Sequence, residues 1–206
     1  MLKIWGRITS INVRKVVLAA QWMELAFERV DAGLQFGVVK TPEYLAKNPN
    51  ALVPLMEDGG YQLWESNVIV RYLCAKHSFG KLYPEPLTAR FDAERWMDWQ
   101  QTTLCGAGRG AFIQLMRTPA EQRSAEAIAQ SVAAMEPLMA RIDEHLSRRP
   151  FMAGDQFTMA DIPIACEVHR WRGLPIERGA RPHIDRWYQA IAQHPAARGV
   201  LDVPLS

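Results

Sequence analysis

The stretch from Asn48 to Asn67 constrains the fold more than any other part of the chain. An apolar run from Leu52 to Glu57, a turn at Gly59-Gly60 and a second run from Tyr61 to Trp64 predict a β-hairpin, because paired glycines supply the left-handed backbone of a tight turn. The hairpin feeds directly into a helix at Ser66. Pro54 lies inside the first run and has no N–H to give a ladder, so Val53 is expected at an edge, with backbone groups free to pair with a peptide-like ligand. Glu65-Ser66 falls at the helix entrance, where unpaired N–H groups and the dipole attract a carboxylate while Glu65 offers its charge to an ammonium. A ligand with a backbone-like middle and an amino-acid head group suits both features. Each also has a purely structural account: a proline at a strand start, and a Ser N-cap beside a glutamate favoured by the dipole.

At 206 residues and 49% hydrophobic, the chain can bury a substantial core as one unit or two small domains. A formal net charge of +2, spread evenly, leaves no electrostatic footprint for nucleic acid or a membrane surface and points to a small-molecule partner. Met1 to Arg7 is too short and too interrupted for a secretory signal, and no apolar run approaches membrane-spanning length. Cys74, Cys105 and Cys166 are widely spaced and odd in number, which predicts reduced thiols in a cytoplasmic protein. The five histidines show none of the known zinc spacings, so no metal site is expected.

Leu2 to Gly6 reads as a strand, Val13, Val16, Val17 and Ala20 recur at helical spacing, and Phe27 to Asp31 reads as a second strand. With the hairpin and its helix this gives βαβ followed by ββα, an α/β N-terminal thioredoxin-like domain over residues 1–80. Pro42 to Leu45 suggests a short helix in the connection, and Pro84-Glu-Pro86 marks the domain boundary. Residues 88–206 are expected to form an all-α helical bundle, beginning with one helix from about Thr88 to Met116 that Pro119 closes. Ile128, Val132, Met135, Met139, Ile142 and Leu146 hold a core stripe that Pro137 should kink. Thr158-Met-Ala-Asp161 is a capping-box variant, which gives Asp161 a structural role. Gly106-Ala-Gly-Arg-Gly110 lacks the context of a phosphate loop and is expected to widen the crevice between domains. Asn12 is expected to cap the first helix at Val13, with Ser10 filling a turn before it.

Asn48-Pro49-Asn50, Val53-Pro54, Glu65-Ser66 and Tyr72-Leu73 together are similar to the glutathione-binding half of a soluble glutathione S-transferase, and the resemblance extends over nearly the whole chain. The departure is Ala51, where that family usually has Gly. The resemblance implies a cis bond at Val53-Pro54, backbone pairing of Val53 with the cysteinyl unit of glutathione, and a grip by Glu65 and Ser66 on its γ-glutamyl end. It also implies a serine-type active-site loop, in which Ser10 donates to the glutathione sulfur, Asn12 is the alternative donor and Thr9 a third. Leu52, Thr9 and Lys40 are implied as further glutathione contacts, Lys40 at the glycine carboxylate. Trp99, Arg109 and Phe112, with Leu104 and Leu115 beside them, are expected to wall a second pocket for a hydrophobic electrophile. The implied function is detoxification by a cytoplasmic homodimer, through conjugation or through peroxide or disulfide chemistry with the same thiolate. A non-catalytic ligand-carrying or interaction protein on the same scaffold is the rival reading.

Overall fold

The computed structural model describes residues 1–205. Its N-terminal part is a four-stranded sheet in the order β2-β1-β3-β4, built from β1 (Leu2–Trp5), β2 (Phe27–Val30), β3 (Leu55–Asp58) and β4 (Tyr61–Trp64). β1 and β2 run parallel through helix α1 (Ile11–Trp22), while β1 and β3, and β3 and β4, pair antiparallel. Alternation along β1 buries Leu2 and Ile4, and α1 covers them with Val13, Val16, Val17 and Ala20. Gly6 ends the strand at a φ of 146°, and a Cβ there would stand 2.3 Å from Val13 Cγ2, so only glycine lets the chain turn under α1 this closely. The hairpin turn forms at Gly59 and Gly60, both with positive φ. Helix α2 (Pro42–Leu45) is present, capped by Thr41 Oγ1.

Three local expectations change. Helix α1 starts at Ile11 with Ser10 in the N-cap position, so Asn12 is inside the first turn and caps nothing; among the described residues no side chain caps this helix. Helix α3 (Ser66–His77) likewise has Glu65, at φ 74°, in the N-cap position rather than Ser66. β3 is an internal strand that begins only after Pro54, so Val53 sits beyond the end of the ladder instead of along a sheet edge. The Val53-Pro54 bond is cis.

From Leu87 onward the chain is helical: α4 (Leu87–Trp99), α5 (Cys105–Met116), α6 (Ala125–Ser147), α7 (Asp161–Arg172) and α8 (Pro182–Ala192). The long helix expected from Thr88 to Met116 is there, but with a π-helical turn at Gln100–Leu104 joining α4 to α5. Helix α6 continues without a break past Pro137, which faces solvent, and carries a buried stripe of Met135, Met139, Ile142 and Leu146. The glycine-rich run does not widen a crevice. Gly108 faces Glu167 and Trp171, and Gly110 faces Ser131 of α6, so the absent side chains let α5 close onto its neighbours.

Asp161 is buried and accepts from Met152 N and Thr158 N at 2.9 Å each and from Trp187 Nε1 at 2.8 Å. It joins the loop before α7, the helix itself and α8, as the capping-box reading anticipated. A second polar chain crosses between the sheet region and the helices: Lys15 Nζ donates to Gln100 Oε1 at 2.8 Å, Gln100 Nε2 to Glu167 Oε2 at 3.1 Å, and Glu167 pairs with Arg170. All four side chains are buried, and the π-helical turn is what aims Gln100 inward. No described helix is long and apolar enough to cross a membrane.

Candidate active site

Two helix entrances meet at one point. Neither α1 nor α3 has a side-chain cap, so their first N–H groups are left for other partners. Ser66 Oγ donates to Asn12 Oδ1 at 3.3 Å and ties the two entrances together. This contact uses the carbonyl oxygen of the Asn12 amide. Ser10 is buried at the α1 N-cap, and its carbonyl accepts the helix bond from Arg14 N at 2.9 Å while its hydroxyl performs no capping. The positive ends of both helix dipoles therefore converge on neighbouring ground, which favours an anionic ligand. Glu65 holds a φ that non-glycine residues seldom adopt, and Gln101 Nε2 approaches its Oε2 at 3.4 Å.

Beside these entrances lies a cavity of about 940 Å³ between the sheet region and α5 and α7. Of the residues singled out from sequence, Thr9, Ser10, Asn12, Lys40, Leu52, Val53, Arg109 and Phe112 line it. Glu65, Ser66 and Pro54 do not line it, although Ser66 is bonded to Asn12 at its margin. Neither backbone group of Val53 has a backbone partner among the described residues. The Leu52 carbonyl is taken up by Tyr44 Oη at 2.6 Å and Asn48 Nδ2 at 2.8 Å, which fixes the loop that presents Val53. Burial pushes the Tyr44 hydroxyl up to about 12, so it stays a donor.

The expected second-pocket wall is partly wrong. Trp99 is away from the cavity, packed edge-on against Trp96 at 5.3 Å, and Leu104 is in the core. A residue's place on a helix in the sequence cannot tell a cavity face from a packing face, and the π-helical turn rotates the following residues relative to α4. What sequence reasoning missed is the basic lining: Arg7, Arg14, Arg117 and Arg170 join Lys40 and Arg109 around the cavity. A charged residue straight after a buried strand and its glycine, as in Gly6-Arg7, was the one available signal. Arg14 is accounted for by the C-terminal segment, donating to Val203 O at 2.9 Å and Pro204 O at 2.8 Å and contacting Val200 O. His169, also on the cavity, approaches Tyr188 Oη at 2.8 Å, and burial followed by the charge of Arg14 lowers its pKa to about 4.

The N-terminal 1–75 match the family model described as glutathione S-transferase, N-terminal domain, and 107–195 match glutathione S-transferase, C-terminal domain. The chain belongs to the glutathione S-transferase family. It is 40% identical over the full length of both chains to glutathione S-transferase GstB of Escherichia coli, and 30% identical to glutathione S-transferase 3 of Zea mays over 99% of this chain and 95% of that one. Among solved structures it resembles the theta class glutathione S-transferase of Xanthomonas axonopodis pv. citri with glutathione bound, with a TM-score of 0.96 at 38% identity, covering 100% of this chain and 99% of that one.

Proposed function

We propose that this glutathione S-transferase holds glutathione across the two uncapped helix entrances and activates its thiol for attack on an electrophile in the adjoining cavity. The observation that carries the reading is the junction of α1 and α3 at Asn12 and Ser66, because it offers free N–H groups and two positive dipole ends beside an accessible cavity. The γ-glutamyl carboxylate takes the α3 entrance with Ser66, the ammonium takes Glu65, the cysteinyl backbone pairs with Val53 next to Pro54, and the glycine carboxylate meets Lys40. Leu52 and Thr9 complete the contacts. The sulfur then lies at Ser10, whose hydroxyl donates to the thiolate; Asn12, held by Ser66, positions the loop. Arg109 and Phe112 wall the electrophile side.

The reaction forms a carbon–sulfur bond while the leaving group departs with its bonding pair, and the thiol proton passes to solvent. Detoxification is the physiological role proposed for this chemistry. The three free cysteines suit a cytoplasmic setting. Trp64, Val68, Leu87 and Phe91 are exposed on β4, α3 and α4, and we assign them to a homodimer contact, which sedimentation would test. The binding test is calorimetry with glutathione on wild type and Glu65→Ala. Charge-assisted contacts contribute roughly 1.5–3 kcal/mol, so the variant should bind about 10- to 100-fold more weakly. Equal affinity in the two proteins would place glutathione elsewhere.

A further inference from the structure

Among the described residues, the cavity is lined by five arginines and Lys40 and by no carboxylate. The two terminal nitrogens of Arg14 are taken up by carbonyls, although its Nε has no partner among the described residues; Arg170 pairs with Glu167, and Lys40 is assigned to glutathione. Arg7, Arg109 and Arg117 are left over. Arg7 is only 8% exposed, its Nε has no hydrogen-bond partner, and its guanidinium enters no ion pair among the described residues. Burial, and then the charge of Arg117, lowers its pKa, and Arg117 is lowered in turn by burial, Arg170 and Arg109. The guanidiniums of Arg117 and Arg170 stand 4.8 and 5.2 Å from the Phe112 ring centre, which places the cationic cluster directly on the electrophile wall. Mutually repelling cations around a nearly buried, unpartnered guanidinium form a site that gains most from an anion.

We infer that the electrophile carries a carboxylate, which Arg7 and Arg117 receive while an aromatic or short apolar body lies along Phe112 and Ile113. The inference rests on the proposed transferase reading, but the anion site can be measured without turnover. In the chemical step the glutathione sulfur bonds to the electrophilic carbon of the carboxylate-bearing substrate. The leaving group departs with its electron pair, the thiol proton goes to solvent, and the carboxylate is unchanged.

The probes are a matched pair, nitrobenzoate and nitrobenzamide, measured by calorimetry on wild type, Arg7→Met and Arg117→Gln. Their chlorinated, reactive counterparts are used for kinetics. Wild type should bind the carboxylate at least about 10-fold more tightly than the amide, the difference expected for one charge-assisted contact. That preference should collapse in both variants while glutathione affinity is unchanged. Arg117 is far less buried than Arg7, so Arg117→Gln keeps the test informative if Arg7→Met fails to fold. Equal binding of acid and amide by wild type overturns the inference, and so does loss of glutathione affinity in either variant, which would make these arginines glutathione ligands. If wild type binds the benzoate selectively but never glutathione, the transferase reading fails and the anion site stands.

Discussion

Removing the carboxylate at the centre of the polar chain between sheet and helices should unfasten the molecule. In Glu167→Gln the side-chain volume is kept, but Gln100 Nε2 and Arg170 both donate to this carboxylate, and Lys15, held by Gln100 Oε1, loses the negative charge that supports its own. One carboxamide oxygen cannot serve both Gln100 and Arg170, and its NH2 adds a donor where acceptors are needed. Lys15 and Arg170 are 2% and 6% exposed, so water cannot make good the loss. Breaking a buried pair by deleting one partner costs about 3–5 kcal/mol, which for a chain of this size lowers Tm by roughly 6–20 °C. The pH dependence gives a second signature. Burial lowers the Lys15 pKa, and Glu167 is the largest influence opposing that shift. The unfolded chain therefore binds more protons than the folded one between the depressed value and 10.5, and stability from this group rises with pH through that window. Loss of Glu167 should widen the window toward neutral pH. Denaturant unfolding of wild type, Glu167→Gln, Lys15→Met and the double variant across pH 7–10 reads both effects. The double variant should lose less than the sum of the singles by at least about 1 kcal/mol. A Glu167→Gln loss under about 1 kcal/mol, or strict additivity with Lys15→Met, would refute the reasoning.

Two further outcomes follow from local geometry. Asp161→Ala leaves the N–H groups of Met152, Thr158 and Trp187 without their acceptor and should cost about 3 kcal/mol or more in chemical denaturation. Burial pushes its carboxyl up to about 6 against the pull of those hydrogen bonds, so the folded chain retains a proton that the unfolded chain releases near about 4. The contribution of this group therefore falls as pH rises between about 4 and 6, a slope that should vanish in the variant. Ala51 holds a φ of 55°, where a side chain costs about 1–2 kcal/mol; allowing for the entropy of the unfolded chain, Ala51→Gly should stabilise by about 0.5–1 kcal/mol in the same assay.

What was legible in the sequence was whatever local pattern decides. The glycine pair of the hairpin, the core stripe of α6 and the Thr158 to Asp161 box appear where the residues indicated, and the cis bond at Val53-Pro54 where the family resemblance implied it. The cap assignments at Asn12 and Ser66 failed because each side chain found the other, 54 residues away, in place of its own helix N–H groups. Lys15 lies in an apolar helix, and nothing near it reveals that its partner Gln100 is 85 residues distant on a π-helical turn. Apart from the Gly6-Arg7 signal, the basic cavity lining was illegible for the same reason. Arg7 belongs to the end of β1 and Arg117 to the end of α5, and only tertiary folding places their charges against each other.

The central claim, that the Ser10 hydroxyl activates bound glutathione, is tested most directly by titrating the thiolate absorbance of the glutathione complex in wild type, Ser10→Ala and Asn12→Ala. A free thiol titrates near about 8.5, and a hydrogen bond to its charged form worth roughly 1.5–3 kcal/mol lowers that by about one to two units. Wild type should therefore titrate near about 7, Ser10→Ala should move back toward the free value with turnover cut about 10- to 100-fold at neutral pH, and Asn12→Ala should keep the wild-type titration. A titration that stays in place in Ser10→Ala and moves in Asn12→Ala would contradict the account and give the role to the amide.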